Sequence, residues 1–262
     1  LGVTLVEGLR ATGSVLDGTT ALRVRFFDAT SEVLSVSVPP GSSASVPDFV
    51  PDDDVHVLVE GLGSAEAVVA WGATSAPVDS TVQAAGALTL LMGRVGEFVL
   101  APQSLPSVHR NGAAVQLDDG RVAVACGADA AGAASSVTDV FDPGNGGSAL
   151  LNASVPTAGG VTRSVVLPGA LFLVGGAGGG TAASLLDRGT GTWSAAAALP
   201  APSRTKHVVV RLANGDVLTH GNNAATAGVM PGNVWNGTSW QALVVPVKRS
   251  HHNAALLGDG TV

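Results

Sequence analysis

The chain has 262 residues, of which 46% are apolar and 13% are charged. This length accommodates one large domain or two ordinary domains, and the apolar content is ample for a sizeable core, so the composition argues against a disordered chain. The net charge of -7, from 13 basic and 20 acidic residues, disfavours nucleic acid as a partner, because binding a phosphate backbone requires clustered cations.

Composition also limits the fold class and the chemistry. The 35 glycines and 14 prolines, with short Val, Leu and Thr runs between them, favour an all-β fold with many turns. The single cysteine, Cys126, excludes an intramolecular disulfide framework and a multi-cysteine metal site. No uninterrupted apolar run has the length of a transmembrane segment.

Residues 1–102 contain strands in which apolar and polar side chains alternate. The clearest is 21–28, where Leu22, Val24 and Phe26 share one face. Further alternating runs occupy residues 34–38, 55–60 and 88–92. Turn clusters lie at residues 17–18, 39–41, 51–54 and 61–63. This spacing predicts an Ig-like β-sandwich over residues 1–102, although the Cys-Trp-Cys signature is missing.

Two polar features of this region have structural interpretations. The acidic cluster at residues 52–54 is compatible with calcium binding, but a solvated turn is favoured because calcium loops space their carboxylates at alternate residues with a glycine among them. His56 lies on the opposite strand face from Val55 and Val57, so we expect it to face solvent.

From about residue 103 the chain repeats, after a proline-containing junction at residues 101–106. Turn glycines recur at intervals of 49, 46 and 45 residues, at Gly120, Gly169, Gly215 and Gly260. A second glycine position follows each of the first three turns, at Gly127, Gly175, Gly176 and Gly221. Prolines mark the same period, at Pro106, Pro156, Pro200 and Pro246. Cys126 stands where the first glycine of a pair is expected, which predicts a small buried side chain.

Each repeat has room for four short strands, and a tryptophan follows a turn late in the second and third repeats, at Trp193 and Trp240. In the fourth repeat the strand that leads into the turn is predicted at residues 254–257. Four strands in a unit of about 45 to 50 residues are typical of one β-propeller blade. The glycine pair that follows Val174 and the turn at 187–193 resemble the corresponding motifs of the kelch-repeat family. This family includes bacterial kelch-like modules related to the galactose oxidase propeller.

This resemblance implies an incomplete kelch-type β-propeller over residues 103–262, with three full repeats and the start of a fourth. Recurrence favours structural roles: glycines for close backbone approach and tryptophans as filling between sheets. The repeated Arg204, Arg249, His207 and His252 are expected to pack between blades. His109, His220 and His251 are less repeated, and nothing pairs them as metal ligands. We therefore assign no catalytic, cofactor-binding or metal-binding residue.

Two enzyme classes find no support in the residues. In the galactose oxidase family two tyrosines and two histidines hold copper, and this chain has no tyrosine. A sialidase-type glycosidase needs paired carboxylates and an arginine cluster. The segment 187–189 departs from the Asp-box pattern, since Leu185 stands where that pattern has Ser or Thr.

An Ig-like spacer followed by a kelch-type propeller resembles bacterial secreted or lipid-anchored surface proteins. The resemblance implies a non-enzymatic extracellular or cell-surface protein that binds a protein or a glycan, or takes part in an extracellular assembly, without a cofactor. The expected binding surface consists of the loops at 127–136, 176–181 and 222–232. Two alternatives remain: a propeller module of a secreted carbohydrate-active or oxidase-like enzyme whose catalytic residues lie outside this chain, and self-assembly through open blade edges.

Overall fold

The computed structural model describes residues 2–28, 31–42, 55–78, 87–151, 162–175, 180–200, 207–221, 232–243, 249 and 252–262. This described part confirms the all-β class: its single helix is a short 3-10 turn at Ser64–Glu66, and no helix in it is long and apolar enough to cross a membrane.

The chain divides into two compact units. The first comprises Leu1–Ser104, Asp119–Arg121 and Phe141–Ser148. The second comprises Leu105–Asp118, Val122–Val140 and Ala149–Val262. Two short segments of the repeat region therefore belong to the first unit, and the domain boundary at residues 102 and 103 stays a prediction.

One six-stranded sheet forms the first unit. Its strands are β1 (Gly2–Glu7), β2 (Ala21–Phe27), β3 (Glu32–Val38), β4 (His56–Leu62), β5 (Val68–Ala73) and β6 (Ala87–Arg94). Their order is β1-β6-β5-β4-β2-β3, with β1 and β6 parallel and the other pairs antiparallel. An Ig-like sandwich consists of two packed sheets, whereas these strands all belong to one sheet. The Ig-like sandwich therefore stays a prediction.

Alternating side chains of this sheet form the core of the first unit. Leu22 and Phe26 of β2 are buried and pack in one cluster with Val57 and Leu90. This confirms the predicted alternation of β2. His56 is exposed, as predicted from its position on the opposite face.

Two features of the first unit differ from the sequence analysis. The sequence gives no alternation at Val68–Ala73, and β5 was not predicted. The turn predicted at 61–63 is displaced: β4 continues to Leu62 through a β-bulge, and the chain reverses where Gly63 N donates to Ala67 O at 2.8 Å. Glycine accommodates a bulge inside a strand, so Gly61 does not end β4. The acidic cluster at 52–54 lies outside the described residues.

Three four-stranded sheets, called blades 1 to 3, follow along the chain. Blade 1 contains β7 (Ala113–Gln116), β8 (Val122–Ala125), β9 (Thr138–Phe141) and β10 (Ser148–Leu151). Blade 2 contains β11 (Thr162–Leu167), β12 (Ala170–Gly175), β13 (Ala183–Asp187) and β14 (Trp193–Ala196). Blade 3 contains β15 (Val208–Arg211), β16 (Val217–His220), β17 (Gly232–Trp235) and β18 (Trp240–Leu243). Strands adjacent in sequence are adjacent in each sheet, which confirms three full repeats and a propeller-like fold.

The fourth repeat forms its turn but no strand among residues 252–262. Gly260 N donates to Leu257 O at 3.0 Å, and Leu257 N donates to Thr261 O at 2.8 Å. The strand predicted at 254–257 is absent because a strand requires a hydrogen-bonded neighbour, and no described residue pairs with this segment.

The central strand β12 is buried on both faces. Leu171 and Leu173 pack in the apolar cluster of blade 1, whereas Phe172 and Val174 pack in the cluster shared with blade 3. Since side chains alternate across a strand, consecutive residues of one apolar run contact opposite neighbours. Blade 2 therefore lies between blades 1 and 3, and its first strand β11 lies beside both β7 and β15.

Phe172→Ala is expected to lower the free energy of unfolding by about 3–5 kcal/mol, the usual loss for a buried phenylalanine. Phe172 is fully buried, and its ring stacks on Trp235 with centroids 4.5 Å apart. Urea denaturation measures the change. Val166→Ala is the control, because Val166 is 49% exposed and should change stability by less than about 0.5 kcal/mol. Similar losses in both variants would contradict the two-sided burial of β12.

Candidate functional site

The recurring glycines adopt left-handed backbone angles. At the turns, φ is 83° at Gly120, 68° at Gly169, 93° at Gly215 and 85° at Gly260. At the second position, φ is 60° at Cys126, 86° at Gly127, 96° at Gly175 and 97° at Gly221. Glycine has no Cβ and adopts these angles without strain, which explains its recurrence. Gly176 lies outside the described residues.

Cys126 adopts the left-handed conformation despite its side chain, at a cost of about 1–2 kcal/mol for a non-glycine residue. Its side chain is fully buried in the core of blade 1, as predicted. Burial raises the pKa of the Cys126 thiol to about 11. The thiol is therefore protonated at neutral pH and is a poor nucleophile.

The two recurring tryptophans lie between neighbouring blades. Trp193 of blade 2 donates its Nε1 hydrogen to Thr138 Oγ1 of blade 1 at 3.0 Å. Trp240 of blade 3 donates Nε1–H to the carbonyl oxygen of Ala197, after the last strand of blade 2, at 2.7 Å. Each indole thus contributes a hydrogen bond between neighbouring blades in addition to its buried apolar area.

An Asp or Asn also recurs in the turn between the third and fourth strands, at Asp142, Asp187 and Asn236. Asp187 Oδ1 accepts hydrogen bonds from Thr190 N at 2.8 Å and from Thr190 Oγ1 at 3.1 Å. These bonds, the backbone one first, lower the pKa of Asp187. Asn236 Oδ1 accepts from Ser239 N at 2.9 Å. The carboxylate of Asp187 therefore shapes its turn, as the amide of Asn236 does in blade 3.

A buried polar residue, not predicted from the sequence, occupies the second position of the third strand in every blade. These residues are Asp139, Ser184 and Asn233, with exposed fractions of 0%, 0% and 2%. The signal in the sequence is a polar residue two positions before the last large apolar residue of each strand. Because a buried polar residue recurs at the same strand position in each blade, we infer that it has the same structural role in all three.

In blade 1 this residue holds the segment that enters β7. Asp139 Oδ2 accepts a hydrogen bond from Ser107 N at 2.6 Å and lies 3.0 Å from His109 Nε2. Asp139 Oδ1 accepts from Ser107 Oγ at 3.3 Å. His109 Nδ1 lies 2.9 Å from the carbonyl oxygen of Cys126. The buried carboxylate thus has several donors, as a buried charge requires.

Two of the residues expected to pack between blades have contacts with a neighbouring repeat, His207 through its backbone and His252 through its ring; packing between blades stays a prediction for the group. Arg163 Nε of β11 donates to the carbonyl oxygen of His207 at 3.1 Å. The rings of His220 and His252 meet edge to face with centroids 5.2 Å apart. A Cβ at Gly221 would lie 2.4 Å from His252 Cε1, so this contact needs glycine. Burial, assisted by the charge of Arg249, lowers the pKa of His252. His251 and Arg204 lie outside the described residues.

The loop at 127–137 of blade 1 borders a concavity of about 610 Å³. Serine, alanine and valine side chains and one carboxylate line it, among them Ser107, Val108, Asp129, Ala134, Ser135 and Val137. The loop is held by its own bonds: Asp129 Oδ1 accepts from Ala131 N at 2.9 Å and from Ala133 N at 2.8 Å. This loop includes the predicted surface at 127–136. Most of the other two predicted loops lies outside the described residues.

The lining of the concavity favours hydrogen bonding over covalent chemistry. Serine hydroxyls donate and accept, whereas the Asp129 carboxylate accepts only. Asp129 is the single ionisable side chain in this lining. In the described part of the chain, no three His, Cys, Asp or Glu side chains are grouped so that they can hold a metal ion.

The chain is similar to two solved structures over most of its length. One, described as "Structure of YjhT", is 15% identical, with a TM-score of 0.45 over 74% of this chain and 64% of the other. The second is a "Novel fungal alcohol oxidase with catalytic diversity among the AA5 family, in complex with copper", 13% identical, with a TM-score of 0.43 over 79% of this chain and 55% of the other. The chain thus spans less than two thirds of either protein's length. No protein-family model and no curated protein matches it.

The native protein is expected to react only slowly with a thiol reagent at pH 8, because the Cys126 thiol is fully buried and its pKa is raised to about 11. One equivalent should react rapidly after unfolding in urea. Absorbance of the released thiolate from a disulfide reagent measures both rates. Equal rates in the native and unfolded protein would contradict the placement of Cys126.

Asp139→Ala is expected to lower the free energy of unfolding by about 3–5 kcal/mol, because it leaves buried donors of Ser107 and His109 without an acceptor. Asp118→Ala serves as the control: its side chain is 53% exposed and pairs with Arg188 at 3.2 Å. Such a surface pair contributes at most about 1 kcal/mol. Chemical denaturation of both variants gives the comparison, and equal losses would show that Asp139 does not hold the entry of β7.

Proposed function

We propose that this chain is a non-enzymatic binding protein of the extracellular space or cell surface, whose propeller-like unit binds a glycan or a protein. The kelch-type assignment of the repeats, the Ig-like assignment of the first unit as a spacer, and a bacterial secreted or lipid-anchored setting are parts of this proposal. In a second form of this proposal, copies of the chain assemble with one another outside the cell through the open edges of their blades.

The concavity beside the loop at 127–137 is the observation that carries the proposal. Its volume of about 610 Å³ lies within the range of roughly 300–1,000 Å³ common for ligand sites. Its hydroxyls and single carboxylate suit a ligand that both donates and accepts hydrogen bonds, as sugar hydroxyls and peptide groups do. Loops on a rigid β scaffold are frequent binding elements.

The reactive groups of blade 1, of which only Asp129 lines the concavity, already have structural partners or are buried, which supports binding rather than covalent catalysis. Asp139 and His109 bond to each other, and Asp129 accepts hydrogen bonds from its own loop. The Cys126 thiol is buried and protonated. A covalent catalyst instead needs an accessible nucleophile next to a base.

Ala134→Arg tests the proposal, because Ala134 is exposed and lines the concavity. The full chain is applied to an array of neutral and acidic oligosaccharides and to a panel of immobilised extracellular proteins. We expect saturable binding to at least one of these, weakened by about tenfold or more in Ala134→Arg. The matched control, Ala195→Arg, places the same side chain on the exposed strand β14 and should retain binding.

The outcomes separate the two kinds of protein. An absence of binding across both panels, or equal binding by Ala134→Arg and the wild type, contradicts the proposal. Release of sugar or formation of hydrogen peroxide from an array ligand would support the enzyme alternative instead.

A further inference from the structure

Four residues form a straight row across the first unit's sheet, here called the outer row: Arg23, Glu60, Trp71 and Gly93. Arg23 of β2 is paired with Glu60 of β4, which is paired with Trp71 of β5, which is paired with Gly93 of β6. Neighbouring strands are about 4.8 Å apart, so the row extends over about 14 Å.

The outer row faces away from the core. Each of its members is next in sequence to a fully or almost fully buried residue: Leu22, Val59, Ala70 and Met92. Because successive side chains of a strand point to opposite faces, the row occupies the other face of the sheet. Its position follows from the pairing of strands that are far apart in sequence.

The polar end of the outer row is fixed and carries no excess of positive charge. Arg23 Nε lies 2.7 Å from Glu60 Oε2, and Arg25 Nη1 lies 3.7 Å from Glu60 Oε1. Arg25 Nε also donates to Glu32 Oε2 at 2.7 Å. Two arginines thus pair with two glutamates, and the charge of a third, Glu66, also acts on Arg23. Ion pairing restrains these side chains. Glu60 is only 8% exposed, so the groups that a ligand can reach are those of the partly exposed Arg23 and Arg25.

The apolar end of the outer row is open. Trp71 is 51% exposed, although tryptophan is highly buried on average. Its neighbour across the strand pair is Gly93, which has no side chain to cover the indole. An exposed aromatic ring beside a fixed polar group fits an amphipathic ligand with one apolar face and a polar edge.

The position of Trp71 excludes two other ligand types. β5 is an interior strand between β6 and β4, so its backbone groups are paired and do not accept an added peptide strand. Glu32, Glu60 and Glu66 outnumber Arg23 and Arg25 at this end of the row, so it does not attract an anionic polymer or an anionic lipid surface. A pyranose ring meets the remaining requirements, because one of its faces carries C–H groups and its rim carries hydroxyls.

We propose that the outer row is a binding site for a neutral oligosaccharide, whose sugar ring stacks on Trp71 while its hydroxyls bond to Arg23, which Glu60 holds in place. This site lies in the first unit and does not rest on the concavity of blade 1. The first unit then contributes to ligand capture instead of acting only as a spacer.

The test is affinity electrophoresis of the full chain in gels that contain a neutral β-glucan, a xylan or a galactan, with polygalacturonate as the acidic counterpart. We expect at least one neutral polysaccharide to retard the wild type. Trp71→Ala should weaken this interaction by about tenfold, the size of one aromatic stacking contact. Trp71→Phe should retain most of it.

Phe98→Ala is the matched control, since Phe98 is a fully exposed aromatic residue of the same unit that lies outside the outer row. It should bind as the wild type does. Fluorescence supplies a second measurement: the neutral ligand should shift indole emission in the wild type but not in Trp71→Phe. Circular dichroism of each variant verifies folding.

Several outcomes would overturn the proposal: no retardation by any neutral polysaccharide, retardation by polygalacturonate alone, or equal losses in Trp71→Ala and Phe98→Ala. Binding that survives Trp71→Ala but is lost in Ala134→Arg would place the glycan at the concavity, so the outer-row proposal would fail while the proposed function stands. A protein ligand that competes for Trp71 with no glycan binding would also overturn it.

Discussion

The two-sided burial of β12 is the interaction on which the propeller-like unit depends. A strand exposed on one face would alternate between apolar and polar residues, whereas Ala170–Gly175 is apolar throughout. Leu171 and Leu173 contact blade 1, while Phe172 and Val174 contact blade 3. Each blade is too small to bury its own apolar face, so adjacent blades stabilise one another as neighbouring repeats do in other repeat proteins.

Polar contacts then fix the orientation that apolar packing alone leaves free. Arg188 of blade 2 pairs with Asp118 and donates to the carbonyl oxygen of Gln116, both in blade 1. Asp139 holds the segment that enters blade 1, and Trp193 bonds across to Thr138. Most of the recurring polar residues therefore maintain the architecture. The two surfaces for which we propose ligand binding, the loop at 127–137 and the outer row of the first unit, are not repeated.

The same alternation gives the sheet of the first unit an apolar core face and an opposite face, on which we propose ligand binding. One face of the sheet supplies Phe26, Val59 and Met92 to the core. The opposite face carries the ion pairs of Arg23 and Arg25 around Glu60, next to the exposed Trp71. Trp71 is not part of the apolar cluster that forms the core of this unit, and about half of its surface is open to solvent.

The sequence alone determined the period of the repeat, the alternation of β2, the burial of Cys126 and the loop at 127–136 that borders the concavity. These are local properties: a turn needs a left-handed residue, and a half-buried strand needs a period of two. Only the tertiary structure decided that β5 exists and that residues 254–257 form no strand. It also decided that Asp139 binds Ser107, which lies 32 positions earlier in the sequence. The alignment of residues 23, 60, 71 and 93 across four strands is likewise a property of the folded sheet. The reason is that a local pattern specifies which face a side chain occupies, whereas register across strands is set by the packing of the whole sheet.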